Sequence, residues 1–149
     1  MRIVKPALLM LLLASPSMAQ EADEPVWVLT GSEGPSIATY AAPGGPPLVS
    51  VGCDAATDEI VIFRAVQPPV NQTEFALISE TGQLRLTAAP DPAGTPGLIA
   101  RAPAGDTFFS TLARAATVTF RVTGEEGNSG GIAAPVSDPL RQVIDSCLE

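Results

Sequence analysis

Leu48-Val49-Ser50-Val51-Gly52-Cys53, Asp54-Ala55-Ala56-Thr57-Asp58 and Glu59-Ile60-Val61-Ile62-Phe63-Arg64-Ala65 follow one another without a gap, and their pattern decides the fold class. Successive side chains of a strand point to opposite faces, so the first stretch places Val49, Val51 and Cys53 on one face. The third stretch is rich in β-branched residues, which suits a central strand. Between the two, a short run of small and acidic residues suits a hairpin loop.

Working outward, the same grammar recurs. Val26-Trp27-Val28-Leu29-Thr30 and Ile37-Ala38-Thr39-Tyr40 read as strands, closed by Gly31–Pro35 and Pro43–Pro47. Phe75–Ser79 and Gln83–Thr87 read as a hairpin around Glu80-Thr81-Gly82, with Leu84 and Leu86 inward and Arg85 and Thr87 outward. A proline-rich connection from Ala89 to Pro96 precedes a short run at Gly97–Ala102. Thr117–Thr123 returns to period two, and Gly124–Gly131 is a glycine-rich turn before a short strand at Ile132–Ala134. Strands in sequence with tight turns, and no helices between them over the first hundred residues, exclude a parallel α/β fold. The expected architecture is mainly β: an antiparallel barrel or sandwich of about eight strands, with a short mid-chain helix and a C-terminal helix.

The mid-chain helix is expected over Asp106–Ala116, with Asp106 capping the first turn and Phe109, Leu112, Ala113 and Ala116 sharing a face. In the final helix Asp138 is the expected cap and Pro139 the first helical residue, where its missing N–H costs nothing. Leu140, Val143, Ile144 and Cys147 then follow i, i+3, i+4, i+7 spacing. Cys53 and Cys147, the only two cysteines, therefore both fall on apolar faces, and a helix packed on a sheet would bring them into a disulfide.

The start of the chain gives the compartment. Arg2 and Lys5, the apolar run Ala7–Ala14 and Ser15-Pro16-Ser17-Met18-Ala19 form the three parts of an export signal over residues 1–19. The apolar run is far shorter than the ~20 residues that span a bilayer, and no later run approaches that length. Residues 20–25 form a flexible acidic start and residues 26–149 a single β-rich domain, in a periplasmic or secreted protein. Thirteen glycines and fifteen prolines in 149 residues, with 46% hydrophobic and 16% charged, exclude a disordered chain. Losing Arg2 and Lys5 with the signal takes the formal charge from −8 to −10 and leaves arginine as the only basic residue. So acidic a body repels phosphate backbones and anionic membranes. Nucleic acid is excluded as a partner, and a basic protein of the periplasm fits.

Composition closes most routes to catalysis. Histidine is absent, which removes His-dependent triads and histidine metal sites, and without lysine a serine nucleophile has no base. Asp54, Asp58 and Glu59 cluster at one turn and Glu125 and Glu126 at another, the residue type a glycosidase uses as acid and base. Clusters of this kind are usually solvated loop ends, and neither loop has the ligand spacing of a calcium site. No catalytic residue, metal or cofactor is assigned. Arg64, Arg85 and Arg121 stand at outward or ambiguous strand positions. Candidate binding residues are Tyr40, beside a proline-glycine loop, and Asn128 and Ser129 at the tip of the glycine-rich turn. Trp27 reads as core.

Trp27, Tyr40 before its Gly/Pro turn, Cys53 ending a strand, and Ala134-Pro135-Val136-Ser137-Asp138-Pro139 running to Cys147 form a layout similar to that of a group of small exported bacterial proteins with two cysteines. That resemblance implies a fold and a compartment, and no activity. In fold and charge the chain also resembles the small periplasmic lysozyme inhibitors, which block a basic enzyme. The expected function is a binding or accessory module of the cell envelope, with inhibition of a basic envelope enzyme as one form and a small carboxylate-dependent hydrolase as the competing reading.

Overall fold

The structure is a computed structural model, and it describes residues 23–31, 35–66, 74–123 and 131–149. Its strands are β1 (Val26–Thr30), β2 (Ile37–Ala41), β3 (Val49–Asp54), β4 (Glu59–Ala65), β5 (Glu74–Ser79), β6 (Gly82–Pro90), β7 (Gly97–Pro103), β8 (Thr117–Val122) and β9 (Ile132–Pro135). Two helices, α1 (Thr107–Leu112) and α2 (Asp138–Leu148), complete it. All nine strands join one antiparallel sheet in the order β1-β2-β3-β4-β7-β6-β5-β8-β9. The sheet is strongly curled into a half-barrel, which settles the choice between barrel and sandwich in favour of a single bent layer.

The long strand β6 makes the bend. Its first part, Gly82 to Thr87, pairs with β5, and Ala88 to Pro90 pair with β7. One strand thereby serves two halves of the sheet. It runs into the segment expected to be a proline-rich connection, because Pro90 sits at the strand end where a missing donor is tolerated. β7, expected as a short run, is a full seven-residue strand beside β4. Its first residue has no room for a side chain: a Cβ on Gly97 would meet the Phe63 ring and stand 2.7 Å from Arg64 O.

Period two decides which side chains enter the core. Val49, Val51, Ile60, Ile62, Leu98 and Ala100 line the inside of the curl, with Phe75 and Leu77 of β5 and Val118 and Phe120 of β8. Helix α2 lies against β1 to β4 and closes that interior with Leu140, Val143, Ile144 and Cys147, the four residues expected on its apolar face. Burying each of its three aliphatic side chains contributes ~1.5–3 kcal/mol. The same alternation corrects the reading of Arg64: it follows Ile60 and Ile62 on the inner face and is only 2% exposed.

The helix ends differ in detail from expectation. Ser137 holds the cap position of α2 with extended backbone and no side-chain cap bond, so Asp138 is the first helical residue and Pro139 also falls in the first turn. The Asp138 carboxylate still lies at the positive end of the helix, and Arg141 reaches it at 3.4 Å. In α1, Asp106 caps as expected, accepting from Phe108 N–H at 2.9 Å. The helix stops at Leu112, however, and the change of phase buries Phe108 and Ala115 where Ala113 and Ala116 had been expected. Phe108 and Phe109 meet edge to face, ring centroids 5.6 Å apart.

Local turns close the helix end, Arg114 N–H donating to Thr111 O and Ala115 N–H to Leu112 O, and the chain beyond them is held from outside. The Glu80 carboxylate, on the turn between β5 and β6, accepts from Ala116 N–H and Thr117 N–H, both at 3.0 Å. It holds the chain as it leaves α1 for β8. Glu80→Ala is expected to cost about 1 kcal/mol in urea denaturation, with Glu80→Gln, which keeps one acceptor, falling between it and the wild type.

Two ties join the ends of the architecture. Cys53 and Cys147 form a disulfide, Cα atoms 5.4 Å apart, linking the end of β3 to the last turn of α2. Trp27 on β1 donates through Nε1–H to Pro135 O on β9 at 2.7 Å, joining the two outermost strands of the sheet. Trp27 is core, as its sequence position suggested. Its ring packs on Tyr40 with centroids 5.2 Å apart and meets Phe120 edge to face.

Candidate functional site

The outer face of β2, β3 and β4 carries the one feature of the described surface that a hairpin sheet does not need for its own stability. A strand with one wet face alternates apolar and polar residues; a continuous apolar run marks a strand covered on both faces. In β4 the run Ile60-Val61-Ile62-Phe63 is continuous, yet only Ile60 and Ile62 enter the core. Val61 and Phe63 face outward, half-buried. On β2, Ile37 is 41% exposed, and on β1 Val26 and Val28 are 48% and 52% exposed.

Register gathers these residues. Ile37 stands opposite Gly52, and Gly52 opposite Val61. One row along, Thr39 stands opposite Ser50, and Ser50 opposite Phe63, with Thr39 Oγ1 and Ser50 Oγ 3.3 Å apart. The result is an open groove of about 760 Å³, floored by Gly52, Val61 and Phe63 and edged by Pro35, Ile37, Ser146 of α2 and the turn Asp54-Ala55-Ala56. The disulfide lies beside it, since Cys53 also contributes to the lining.

A charged cluster adjoins the end of the groove near the β3–β4 turn, where Asp54 is its lining member. Asp54 and Glu59 pair across the hairpin, and Arg101 of β7 donates through Nη1 to Asp54 Oδ2 at 3.0 Å and Glu59 Oε2 at 3.2 Å. Asp54 Oδ1 also accepts from Ala56 N–H at 3.1 Å. The hydrogen bond from Arg101 holds the Asp54 carboxyl below the usual aspartate range, and the same bond raises the Arg101 guanidinium. A carboxyl whose folded pKa is depressed adds stability at neutral pH that is lost as pH falls through that folded value. Asp54→Asn should therefore lower the melting temperature near pH 7, and the two proteins should converge in acid below the ordinary aspartate value of 3.8. Melting curves from pH 2.5 to 7 that stay parallel would contradict it.

The remaining candidates are dispersed. Asp58 adopts a left-handed backbone, φ 54°, that closes the β3–β4 turn, a conformation aspartate tolerates. Tyr40 is 8% exposed against Trp27 and does not line the groove. Asn128, Ser129, Glu125 and Glu126 lie outside the described residues, as do residues 1–19. Arg85 and Arg121 both stand in register with Ala76 across β5, and Arg85 pairs with Glu74 at 2.8 Å. Arg64 is in the core, so the three arginines do not form one patch.

Among the described residues, no group of three or more Asp, Glu, Cys or His side chains is placed to hold a metal ion. No described helix is long and apolar enough to cross a membrane. A disulfide fits an oxidising, extracytoplasmic compartment. Sequence reasoning missed the groove, although two signals pointed to it: the unbroken apolar run in β4 and a glycine inside β3. Compared with family models, curated proteins and solved structures, the chain matches none.

Proposed function

We propose that the protein is an exported, periplasmic binding module of the cell envelope that engages a basic protein partner through the outer face of β2–β4, and that it has no catalytic role of its own. The observation that carries this reading is the apolar outer row of β4, which has the composition of a strand covered on both faces while its outer side chains, Val61 and Phe63, are only half-buried among the described residues. The acidic balance of the chain supports the choice of partner, because a field of that sign draws in basic proteins and speeds their encounter. Inhibition of a basic envelope enzyme and service as an accessory subunit are both forms of this reading.

The competing hydrolase reading needs one carboxyl kept protonated as general acid. Asp54 and Glu59 share the guanidinium of Arg101, and that contact stabilises the charged form of Asp54, which is the wrong direction for an acid. The binding reading is therefore the better supported of the two. A photocrosslinking residue placed at Val61 should trap one discrete adduct in cells, and the same residue at Gln83, on the far part of the sheet, should trap none. The reconstituted complex should dissociate more readily as salt is raised. Equal adducts from both positions, or none from Val61, would overturn the reading.

A further inference from the structure

The groove has a shape that the fold itself does not require, and its cause is one residue. Gly52 lies within β3, where glycine costs stability and often marks close approach by something else. Its backbone is not in the left-handed region, so no conformational need selects glycine. Nor does crowding: a Cβ at this position would meet Ile37 Cγ1 at 3.4 Å and Ser36 O at 3.9 Å, which is ordinary contact. The contrast with Gly97, where a Cβ has no room, is direct. What the missing side chain does is leave a hollow between Ile37 and Val61, at the centre of an otherwise apolar floor.

The hollow has an electrostatic sign as well. At its end one guanidinium faces two carboxylates, so the Asp54–Arg101–Glu59 cluster is net negative. Ser146 brings the last turn of α2 to the edge, and that turn carries no basic residue. The carbonyl end of a helix bears partial negative charge and favours cations, and Asp145 next to Ser146 is exposed. An apolar hollow bordered by negative charge selects an apolar group that travels with a positive one.

We infer that the hollow over Gly52 receives a bulky apolar side chain of the partner, with an adjacent Arg or Lys side chain held at the Asp54–Glu59 end. The volume of about 760 Å³ lies within the ~300–1,000 Å³ of pockets that enclose drug-sized ligands, which leaves room for a short peptide segment. The inference rests on the reading of a basic protein partner and specifies how that partner is gripped.

The test is an NMR titration of the ¹⁵N-labelled, oxidised protein with three tetrapeptide amides whose central pairs are Phe-Arg, Phe-Glu and Gly-Arg. The Phe-Arg peptide should shift the amides of Gly52, Asp54, Ala56 and Val61 saturably, at least tenfold more tightly than either of the others. Gly52→Leu fills the hollow and should weaken that binding at least tenfold, with Gly52→Ala intermediate; an unchanged amide spectrum away from β2–β4 verifies that both fold. Asp54→Asn with Glu59→Gln should remove the preference for Phe-Arg over Phe-Glu. Equal response to Phe-Glu or Gly-Arg, or unaltered binding in the folded Gly52→Leu variant, would overturn the inference. If Gly52→Leu still yields the Val61 adduct and the salt-sensitive complex, the basic-partner reading stands and only the grip assigned to Gly52 falls. Loss of the adduct in the wild type would sink both.

Discussion

Cys53→Ala is expected to lower the unfolding free energy by ~2–5 kcal/mol, the usual cost of losing a native disulfide from a small domain. The two cysteines are 94 positions apart, and for a loop of that size the chain-entropy account gives ~4–5 kcal/mol. Native proteins of this size retain only ~5–15 kcal/mol in all, so the loss should be plain in urea denaturation and in the melting temperature. Cys147→Ala should cost a similar amount, and the double variant little more than either, because both remove the same bond. Non-reducing mass spectrometry should find the wild type two hydrogens lighter than its reduced form. A melting temperature unchanged in Cys53→Ala would show that helix packing alone holds α2 in place.

Trp27→Ala should be comparably damaging, at about 3–5 kcal/mol. The indole is 8% exposed, packs on Tyr40 and Phe120, and spans from β1 to the carbonyl of Pro135 on β9. Truncation removes ring packing and a hydrogen bond that ties the two outermost strands together. Trp27→Phe separates the two contributions. It keeps an aromatic ring against Tyr40 but cannot donate to Pro135 O, and should cost ~0.5–1.5 kcal/mol, the net worth of one hydrogen bond whose acceptor sits on an exposed residue. Equilibrium unfolding of both variants would show it; a Trp27→Phe protein as stable as the wild type would mean that the hydrogen bond contributes nothing to closure.

Much of the architecture was legible because period two and period 3.6 were each written clearly. The face of α2 could be taken directly from Leu140, Val143, Ile144 and Cys147, and the partner of Cys147 followed from the alternation in Val49, Val51 and Cys53. What escaped was set by distant groups. The path of the chain between α1 and β8 is held by Glu80, which meets Ala116 and Thr117 from another turn, and no local signal at Ala113–Ala116 announces that. The extent of β6 depends on β7 arriving to pair with Ala88–Pro90, against the local prolines. Arg64 was misplaced by its chemistry, since a charged residue suggests solvent, while its register with Val49 and Leu98 sends it inward.

The candidate site was less legible than the fold. Asp54 and Glu59 were noticed as acids at a turn, but their shared partner Arg101 lies 42 to 47 positions downstream and only strand pairing brings it near. The groove floor was hidden for another reason. Val61 and Phe63 read as ordinary members of a central strand until strand pairing sets them beside Gly52 and Ser50 on the floor of the groove.

The ties between distant parts of the chain also govern when the molecule can be finished. Trp27 finds its acceptor 108 positions later, and Cys53 finds its partner 94 positions later. Synthesis must therefore pass Pro135 and Cys147 before either closure can occur, and folding dominated by such remote meetings runs on a scale of milliseconds to seconds. Until then β1 and β3 wait for partners that the last strand and the last helix supply.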